Sequence, residues 1–387
     1  MIPRKRKVIS VVEVVEVRVP ASTANLGPGF DAVGMALELF NVVRMSTTTT
    51  TGLEITVLGD SRDLPLDWTN LVARSAAALF EEVGMSVPGL RIHVQQRIPV
   101  SRGLGSSAAA IVAGLLAANA LAGSPLSGDE LFQLATEIEG HPDNVAAALF
   151  GGFVVSVRGF GSGTSAMADA ATGDRHQAAG AGAHVSADAA VEAAAQARAA
   201  AGPPPGDRYL RCLKLDVPKS LYAVLAIPDF QVPTELARRV LPSSVSLADA
   251  VHNISRTALL VASIASGRFE LLADAMEDRL HQPYRADLTP GLADVLAAAR
   301  EAGALGAALS GSGPSVLALA AGDPHAVAAA MAAAFAAHGV ACRTVITRAS
   351  SRGATVSRHP DAATRKLVPR GHRAGSLSGT RARTFPQ

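Results

Sequence analysis

Residues 99–109 read Pro-Val-Ser-Arg-Gly-Leu-Gly-Ser-Ser-Ala-Ala, and their flanks narrow the fold more than any other stretch. Leu90 to Ile98 alternates Ile92, Val94 and Ile98, the period of a half-buried strand. After Ser107, the alanines and leucines of Ala108 to Ala122 favour helix, stopped by Gly123 with Pro125 just beyond. A strand, a glycine-rich turn and the first turn of a buried helix are therefore predicted. Free N–H groups there, with the helix dipole, favour an anion, and glycine lets phosphate oxygens approach the backbone. Ser106 and Ser107 add hydroxyls suited to a phosphate or a Mg²⁺ ion. A tight turn closed by an N-cap serine is the competing reading. The lysine of a Walker A loop is missing.

The chain has 387 residues, room for two domains. Apolar residues make up 49% but aromatics only 4%, so the core must be built of Ala, Val and Leu. The formal charge of +2 conceals a split. Arg4 to Lys7 and residues 349–387 are basic, and what lies between them is acidic. Those basic ends lack interleaved aromatics, which argues against specific nucleic-acid recognition. Cys212 and Cys342 are too few for a disulfide framework, which suits a reducing cytoplasm. No apolar window of about 18 residues lies outside the Ala/Gly-rich regions. Glu13 and Glu16 interrupt the N-terminal run, against a signal peptide. A soluble cytoplasmic protein without membrane attachment is expected.

Residues 8–19 alternate as an amphipathic strand, with a phase slip near Val14 and Val15. A loop is expected over Pro20–Asp31, where Gly27, Pro28 and Gly29 bend the chain between Asn25 and Asp31. An amide and a carboxylate so placed suit an ammonium or hydroxyl group, or each makes an Asx-turn. Strands are expected over 36–45 and 52–58, and a helix from Asn70 to about Gly84. Ser127-Gly-Asp-Glu130 fits a capping box opening a helix to Gly140. Glu137 and Glu139 lie at its unfavourable C-terminal end, where a cation would offset the cost; two solvated glutamates are the alternative. His141-Pro-Asp-Asn144 follows, then a strand from Gly151.

Residues 158–208 are dominated by Ala and Gly and read as a flexible insertion. Beyond it come a strand over 220–227 and a short helix within 232–242 that sets Thr234 and Arg238 on one face. Helices follow over 246–266 and 268–281, then a corner at Gln282-Pro-Tyr-Arg285. A guanidinium there suits a carboxylate or phosphate, or a surface ion pair. A helix over 292–302, strands over 307–309 and 316–320 joined by Ser310-Gly-Ser-Gly-Pro314, a helix over 324–337 and a strand over 340–347 close the fold. That order (β, helices, β, β, α, β) is that of a ferredoxin-like α+β sandwich. The expected organisation is a basic extension over 1–7, an N-terminal nucleotide-binding domain over 8–157, the insertion over 158–208, a C-terminal domain over 209–348, and a basic disordered tail over 349–387.

Pro20–Asp31, Pro99–Ala109 and Gly306–Pro314 together resemble the three motifs of the GHMP kinases, the superfamily of galactokinase, homoserine kinase, mevalonate kinase and phosphomevalonate kinase. Ser-Thr-Ala-Asn-Leu-Gly-Pro-Gly-Phe-Asp, Glu-Gly-His-Pro-Asp-Asn-Val and Pro-Tyr-Arg bring the resemblance nearest to the homoserine kinase branch. It covers about residues 8–157 and 213–348. It implies a two-domain α+β GHMP kinase fold, with a ribosomal-protein-S5-domain-2-like N-terminal domain and a ferredoxin-like C-terminal sandwich. The implied reaction is ATP-dependent phosphorylation of the L-homoserine hydroxyl to O-phospho-L-homoserine, on the route to threonine. ATP is the co-substrate and Mg²⁺ the cofactor. The expected partners are L-homoserine, ATP and a second copy of the chain.

By the same resemblance, Pro99, Val100, Ser101, Arg102, Gly103, Leu104, Gly105, Ser106, Ser107, Ala108 and Ala109 wrap the nucleotide phosphates. Gly311, Ser312 and Gly313 supply a second glycine loop, and Asn70 lies near the base. Ser107 holds Mg²⁺ with a glutamate, Glu139, with Glu137 in reserve. The amino-acid site takes Asn25, Asp31, His141, Thr234, Arg238 and Arg285. Arginines suit the carboxylate of a zwitterion and Asp31 its ammonium, which disfavours a mevalonate-type substrate. Several relatives place a catalytic Asp where this sequence has Asn144, and an amide cannot be a general base. Direct attack is therefore expected, with Asn25, Asn144 and Arg238 orienting the reacting groups and Asp143 as the rival base. An inactive binding protein on the same fold would be expected to have lost Ser107, the glutamate or the arginines; all are present.

Overall fold

A computed structural model describes residues 13–59, 64–160 and 208–360. Of the described residues, those within 13–156 and 212–360 belong to one compact unit, and those within 157–211 to a second. Apart from the strand ends that border it, the insertion expected over 158–208 lies outside the described residues, as does the basic extension over 1–7.

The first sheet contains β1 (Glu13–Asn25), β2 (Gly29–Thr47), β3 (Leu53–Gly59), β4 (Leu90–Gln96), β5 (Phe153–Phe160), β6 (Arg208–Leu215) and β11 (Thr355–Pro360). Its order is β11-β1-β2-β4-β3, with β5 on β2 and β6 on β5. Neighbours β3 and β4 run parallel; β1–β2, β2–β4, β2–β5 and β1–β11 are antiparallel. Val15, Val17 and Val19 of β1 are fully buried, so the inward phase begins after the expected slip.

Four helices belong to this half: α1 (Leu71–Glu82), α2 (Ser106–Leu121), α3 (Gly128–Glu139) and α4 (Asp143–Phe150). Asn70 caps α1, and the expected capping box of Ser127 and Glu130 opens α3. Helix α2 is apolar all round because it is buried all round, packed against α1, α3, α4 and the sheet. Its small residues permit that depth: a Cβ on Gly114 would strike the Val72 carbonyl of α1.

The second half follows as β7 (Tyr222–Pro228), α5 (Thr234–Arg239), α6 (Leu247–Ser266), a 3₁₀ turn (Phe269–Leu271), α7 (Leu272–Ala275), α8 (Gln282–Arg285) and a second 3₁₀ turn (Ala286–Leu288). Then come α9 (Leu292–Glu301), β8 (Gly306–Leu309), β9 (Val316–Ala320), α10 (Pro324–Ala337) and β10 (Cys342–Arg348). The antiparallel order β10-β7-β9-β8 is the ferredoxin-like one expected. Val295 and Ala299 of α9 and Val327, Met331 and Phe335 of α10 pack on Val224, Val316 and Ala318 of this sheet.

Three expectations are corrected. The loop over Pro20–Asp31 is instead a hairpin, in which β1 continues to Asn25, through an irregularity at Pro20/Ala21, and β2 starts at Gly29. The helix over 268–281 is only the first 3₁₀ turn and α7; from Met276 onward the backbone turns around the Asp278 carboxylate. The tail is ordered through Pro360. Ala349 bridges Leu37, Ala354 is buried, and β11 pairs with β1 from Glu13↔Pro360 to Arg18↔Thr355. Strand β11 has no apolar period to reveal it: a backbone ladder holds it, with Arg358 on Glu13 and on the Ala120 carbonyl at the end of α2. Residues 361–387 lie outside the described residues.

Candidate active site

The turn after β4 delivers the chain to α2 through Gly105, which caps the helix with φ 64° and no side-chain bond. The N-cap serine reading is therefore not what forms; Ser106 and Ser107 are the first helical residues. Glycine is required at two points because three segments converge. A Cβ at Gly105 would meet the Ser22 hydroxyl, and one at Gly103 the Ser310 carbonyl. Ser310 Oγ donates to Gly103 O at 2.6 Å, the Gly311 N–H to Ala24 O at 3.1 Å, and the Ser22 N–H to Leu104 O at 3.2 Å. The glycine loop of the second half thus lies directly against the first.

Around this junction is a cleft of about 350 Å³. Val100 through Ser107, Asn70, Gly311 and Ser312 line it; Pro99, Ala108, Ala109 and Gly313 do not. Ala108 and Ala109 are fully buried in the α2 core. The Arg102 guanidinium bonds the carbonyls of Pro228 and Asp229 (2.9 and 2.7 Å), so it clamps the turn to the end of β7. The Asn70 amide is committed to Val72 N and Pro65 O, so it shapes the cleft wall as a helix cap.

Ser107 Oγ donates to Glu139 Oε2 at 2.6 Å. The first turn of α2 and the last turn of α3 therefore face each other. Glu137 is exposed and bonded to Gln133, which removes the reserve candidate from the cleft. Burial pushes the Glu139 carboxyl above its ordinary pKa against the Ser107 bond.

The second part of the cleft begins at the β1–β2 turn. Asn25 (φ 68°) and Asp31 (φ 56°) are both left-handed, and Asn25 is buried. Asn25 Nδ2 donates to Gly311 O at 3.0 Å while its Oδ1 accepts the Asp31 N–H at 3.1 Å, one linked turn rather than two Asx-turns. Both terminal nitrogens of Arg238 bond the Asp31 carboxylate, at 3.0 and 2.8 Å. Burial opposes the Arg238 charge, but the Asp31 bonds hold its pKa above the ordinary arginine value.

Helix α4 brings the third wall. Buried Asp143 Oδ1 accepts the Asn144 N–H at 2.7 Å and lies 2.9 Å from His141 Nδ1. Burial alone would lower the His141 pKa; Asp143 and Glu139 bring it above the ordinary value. Asn144 Oδ1 is taken by Ser22 Oγ at 2.8 Å, which leaves its amide nitrogen for the cleft. Donor atoms of Asp31, His141 and Asp143 lie within 4.8 Å of one another, close enough for a metal, but Arg238 already neutralises Asp31. Thr234 Oγ1 stands 3.5 Å from Ser312 Oγ, and Arg285 is buried at the base of the pocket.

Several supporting residues escaped the sequence reading. Gln96 Nε2 lies 3.2 Å from Ser106 Oγ, and Asn41 holds Gln96 and the Arg97 and Ile98 N–H groups. Ser22, Phe30 and Ser310, which sit inside the motif segments with no role assigned to them there, and His281 also join the site. Their partners lie up to 287 residues away in sequence, so no local spacing marks them.

Comparison with known proteins agrees with this geometry. Residues 70–152 match the GHMP kinases N terminal domain and residues 260–339 the GHMP kinases C terminal domain. The class is therefore settled: an ATP-dependent kinase of the GHMP type, acting on an alcohol group. The homoserine kinase of Moorella thermoacetica is 42% identical over 340 residues, covering 88% of this chain and 99% of that one. That of Synechococcus sp. is 42% identical over 349 residues, covering 90% and 99%. The crystal structure of homoserine kinase from Cytophaga hutchinsonii superposes with a TM-score of 0.69 at 30% identity, covering 89% and 97%. Within the GHMP kinases, the chain belongs to the homoserine kinase family.

Proposed function

We propose that this chain transfers the γ-phosphoryl group of ATP to the side-chain hydroxyl of L-homoserine, giving O-phospho-L-homoserine for threonine biosynthesis in the cytoplasm. One observation carries the substrate: acidic groups (Asp143, and Asp31 within its pair with Arg238) and a buried arginine (Arg285) with no bonded carboxylate face one pocket beside the phosphate loop. That pairing matches a zwitterion, one charge to each side. A mevalonate-type acid has no ammonium for the acidic wall, and an inactive binding protein would not need Ser107 and Glu139 aligned at 2.6 Å.

The loop carries out positioning. Backbone N–H groups at the uncapped start of α2 and from Gly103 to Gly105 receive phosphate oxygens, aided by the helix dipole. Ser107 and Glu139 fit a hard divalent cation, since both offer oxygen and the buried carboxylate is short of positive charge. Mg²⁺ held there would neutralise charge on the transferring phosphoryl group. Asn25 and the Asn144 amide nitrogen orient the acceptor hydroxyl, with Arg238 held rigidly by Asp31 beside them. The hydroxyl oxygen attacks the γ-phosphorus, the bond to the β-γ bridging oxygen breaks, and the proton leaves to the phosphate or solvent. Asp143, locked between His141 and the Asn144 N–H, supports the ammonium side of the pocket.

Among the described residues, no helix is long and apolar enough to cross a membrane. A homodimer completes the reading. Leu247, Val251 and Ile254 form one stripe along α6, exposed by 81, 55 and 69%, and suit a second copy.

An ATP-coupled assay across L-homoserine, mevalonate, galactose and shikimate tests the reading. Homoserine is expected to give the highest kcat/KM by at least about 100-fold. Preference for any other alcohol overturns the substrate while leaving the phosphate loop in place.

A further inference from the structure

Arg285 is only 2% exposed, yet among the described residues no carboxylate bonds its guanidinium. All its acceptors are neutral. Nε donates to Ala237 O at 3.0 Å; Nη1 reaches Gly311 O and His281 Nδ1, each at 3.2 Å. Burial, with the repulsion of nearby Arg238, pulls its pKa down to about 10, so it stays charged at neutral pH. Arg238 differs: Asp31 neutralises it through two bonds. The two arginines are therefore paired differently: Arg238 is bonded to a carboxylate, whereas Arg285 bonds neutral acceptors only and has Asp31, Asp143 and Asp278 near it without a direct bond.

We propose that His281 is a specificity-determining positioning residue: a neutral imidazole that aims the Arg285 guanidinium while leaving its charge free for the substrate carboxylate. This rests on the reading above, in which Arg285 receives that carboxylate.

The geometry defines the ring's state. Nε2 lies 2.7 Å from Gly27 O, which can only accept, so Nε2 carries the proton. Nδ1 then presents its lone pair to Arg285. Three charged groups face the ring: Asp278, Arg285 and Asp31. Asp278 is as buried as His281 and its carboxylate is 3.6 Å from Nε2. Its oxygens, however, are filled by the N–H groups of Leu280, His281 and Gln282 and by Asn253 Nδ2. That cluster holds the α8 entrance and commits the Asp278 oxygens to backbone and amide donors, so Asp278 acts on Arg285 without a direct bond. The Phe30 ring lies 5.4 Å from the His281 ring and 5.4 Å from the guanidinium carbon, and it walls the same side. Since the backbone places an acceptor at Nδ1, a carboxylate at position 281 would pair with Arg285 more strongly than imidazole does. It would also consume the charge on which the substrate depends.

His281→Asn and His281→Asp test this, because they match in size and differ in charge. KM and kcat for homoserine, KM for ATP and Tm are measured for both. His281→Asn is expected to raise the homoserine KM less than about 10-fold, and His281→Asp by roughly 100-fold or more, with KM for ATP unchanged. The Tm of His281→Asp should equal or exceed that of His281→Asn. The preference for homoserine over 3-aminopropan-1-ol, its analogue without the carboxylate, should collapse only in His281→Asp. Equal losses in both variants, or an unmoved KM in His281→Asp, overturn the inference. If His281→Asp does not fold, His281→Leu removes the acceptor without adding charge. Its expected signature is a raised homoserine KM with kcat preserved, and an unchanged KM sinks the idea. Arg285→Gln separates the two readings: an unmoved homoserine KM there overturns the role of Arg285 itself.

Discussion

Glu139 ends α3, where the helix dipole disfavours a carboxylate, and burial adds to the cost. Its raised pKa has a definite sign in stability. The folded state binds this proton more tightly than the unfolded state, so the contribution favours folding below the unfolded pKa and is lost as pH rises through the folded one. Glu139→Gln is thus expected to raise Tm at pH 8 without added Mg²⁺, while kcat falls by about 100-fold or more. A lower Tm at pH 8 would count against the burial argument. Asp143→Asn probes the chemistry. With attack by the free hydroxyl, kcat should fall less than about 10-fold while the homoserine KM rises; loss of a true base would cost about 100-fold or more in kcat with affinity intact. At this scale, Asn25 and Asp31 were legible because they flank the Gly27-Pro28-Gly29 turn. His281 was not, since its value lies in a bond to Gly27, 254 residues away.

Elements were legible where their signals are local. The capping box of α3, the Asn70 cap of α1 and the proline-led start of α10 are each complete within four residues. Strand β11 is the counter-example. Its pairing with β1 depends on backbone groups every residue possesses, so nothing in Thr355–Pro360 announces it. A chain ending at Pro360 should match the full chain in Tm and kcat. Ending at Gly353 strips β11 from β1 and frees the Ala120 carbonyl from Arg358, and the expected result is a Tm several degrees lower by calorimetry. Equal Tm for both truncations would show that β11 adds no stability.

Across the whole molecule, the exposed stripe on α6 predicts association. A helix of 20 residues is about 30 Å long, enough to found an interface of the usual ~800 Å² per partner. Sedimentation should show a dimer at micromolar concentration, and Ile254→Glu should shift it to monomer without changing kcat. A monomer for the unaltered chain at every concentration would exclude it. By itself the sequence determined the parts: the strand-turn-helix at residues 99–109, the ferredoxin-like order of the second half, and the residue types a phosphate and a zwitterion require. These follow from periodicity and turn chemistry, which act over a few residues. Only the tertiary structure decided which arginine is bonded to a carboxylate and which is not. Arg238 is paired with the Asp31 carboxylate, whereas the buried Arg285 bonds only neutral acceptors. That distinction arises because compensation is a matter of distance in space, and the turn holding Gly27 to Asp31 meets α5 and α8 only once the chain has folded.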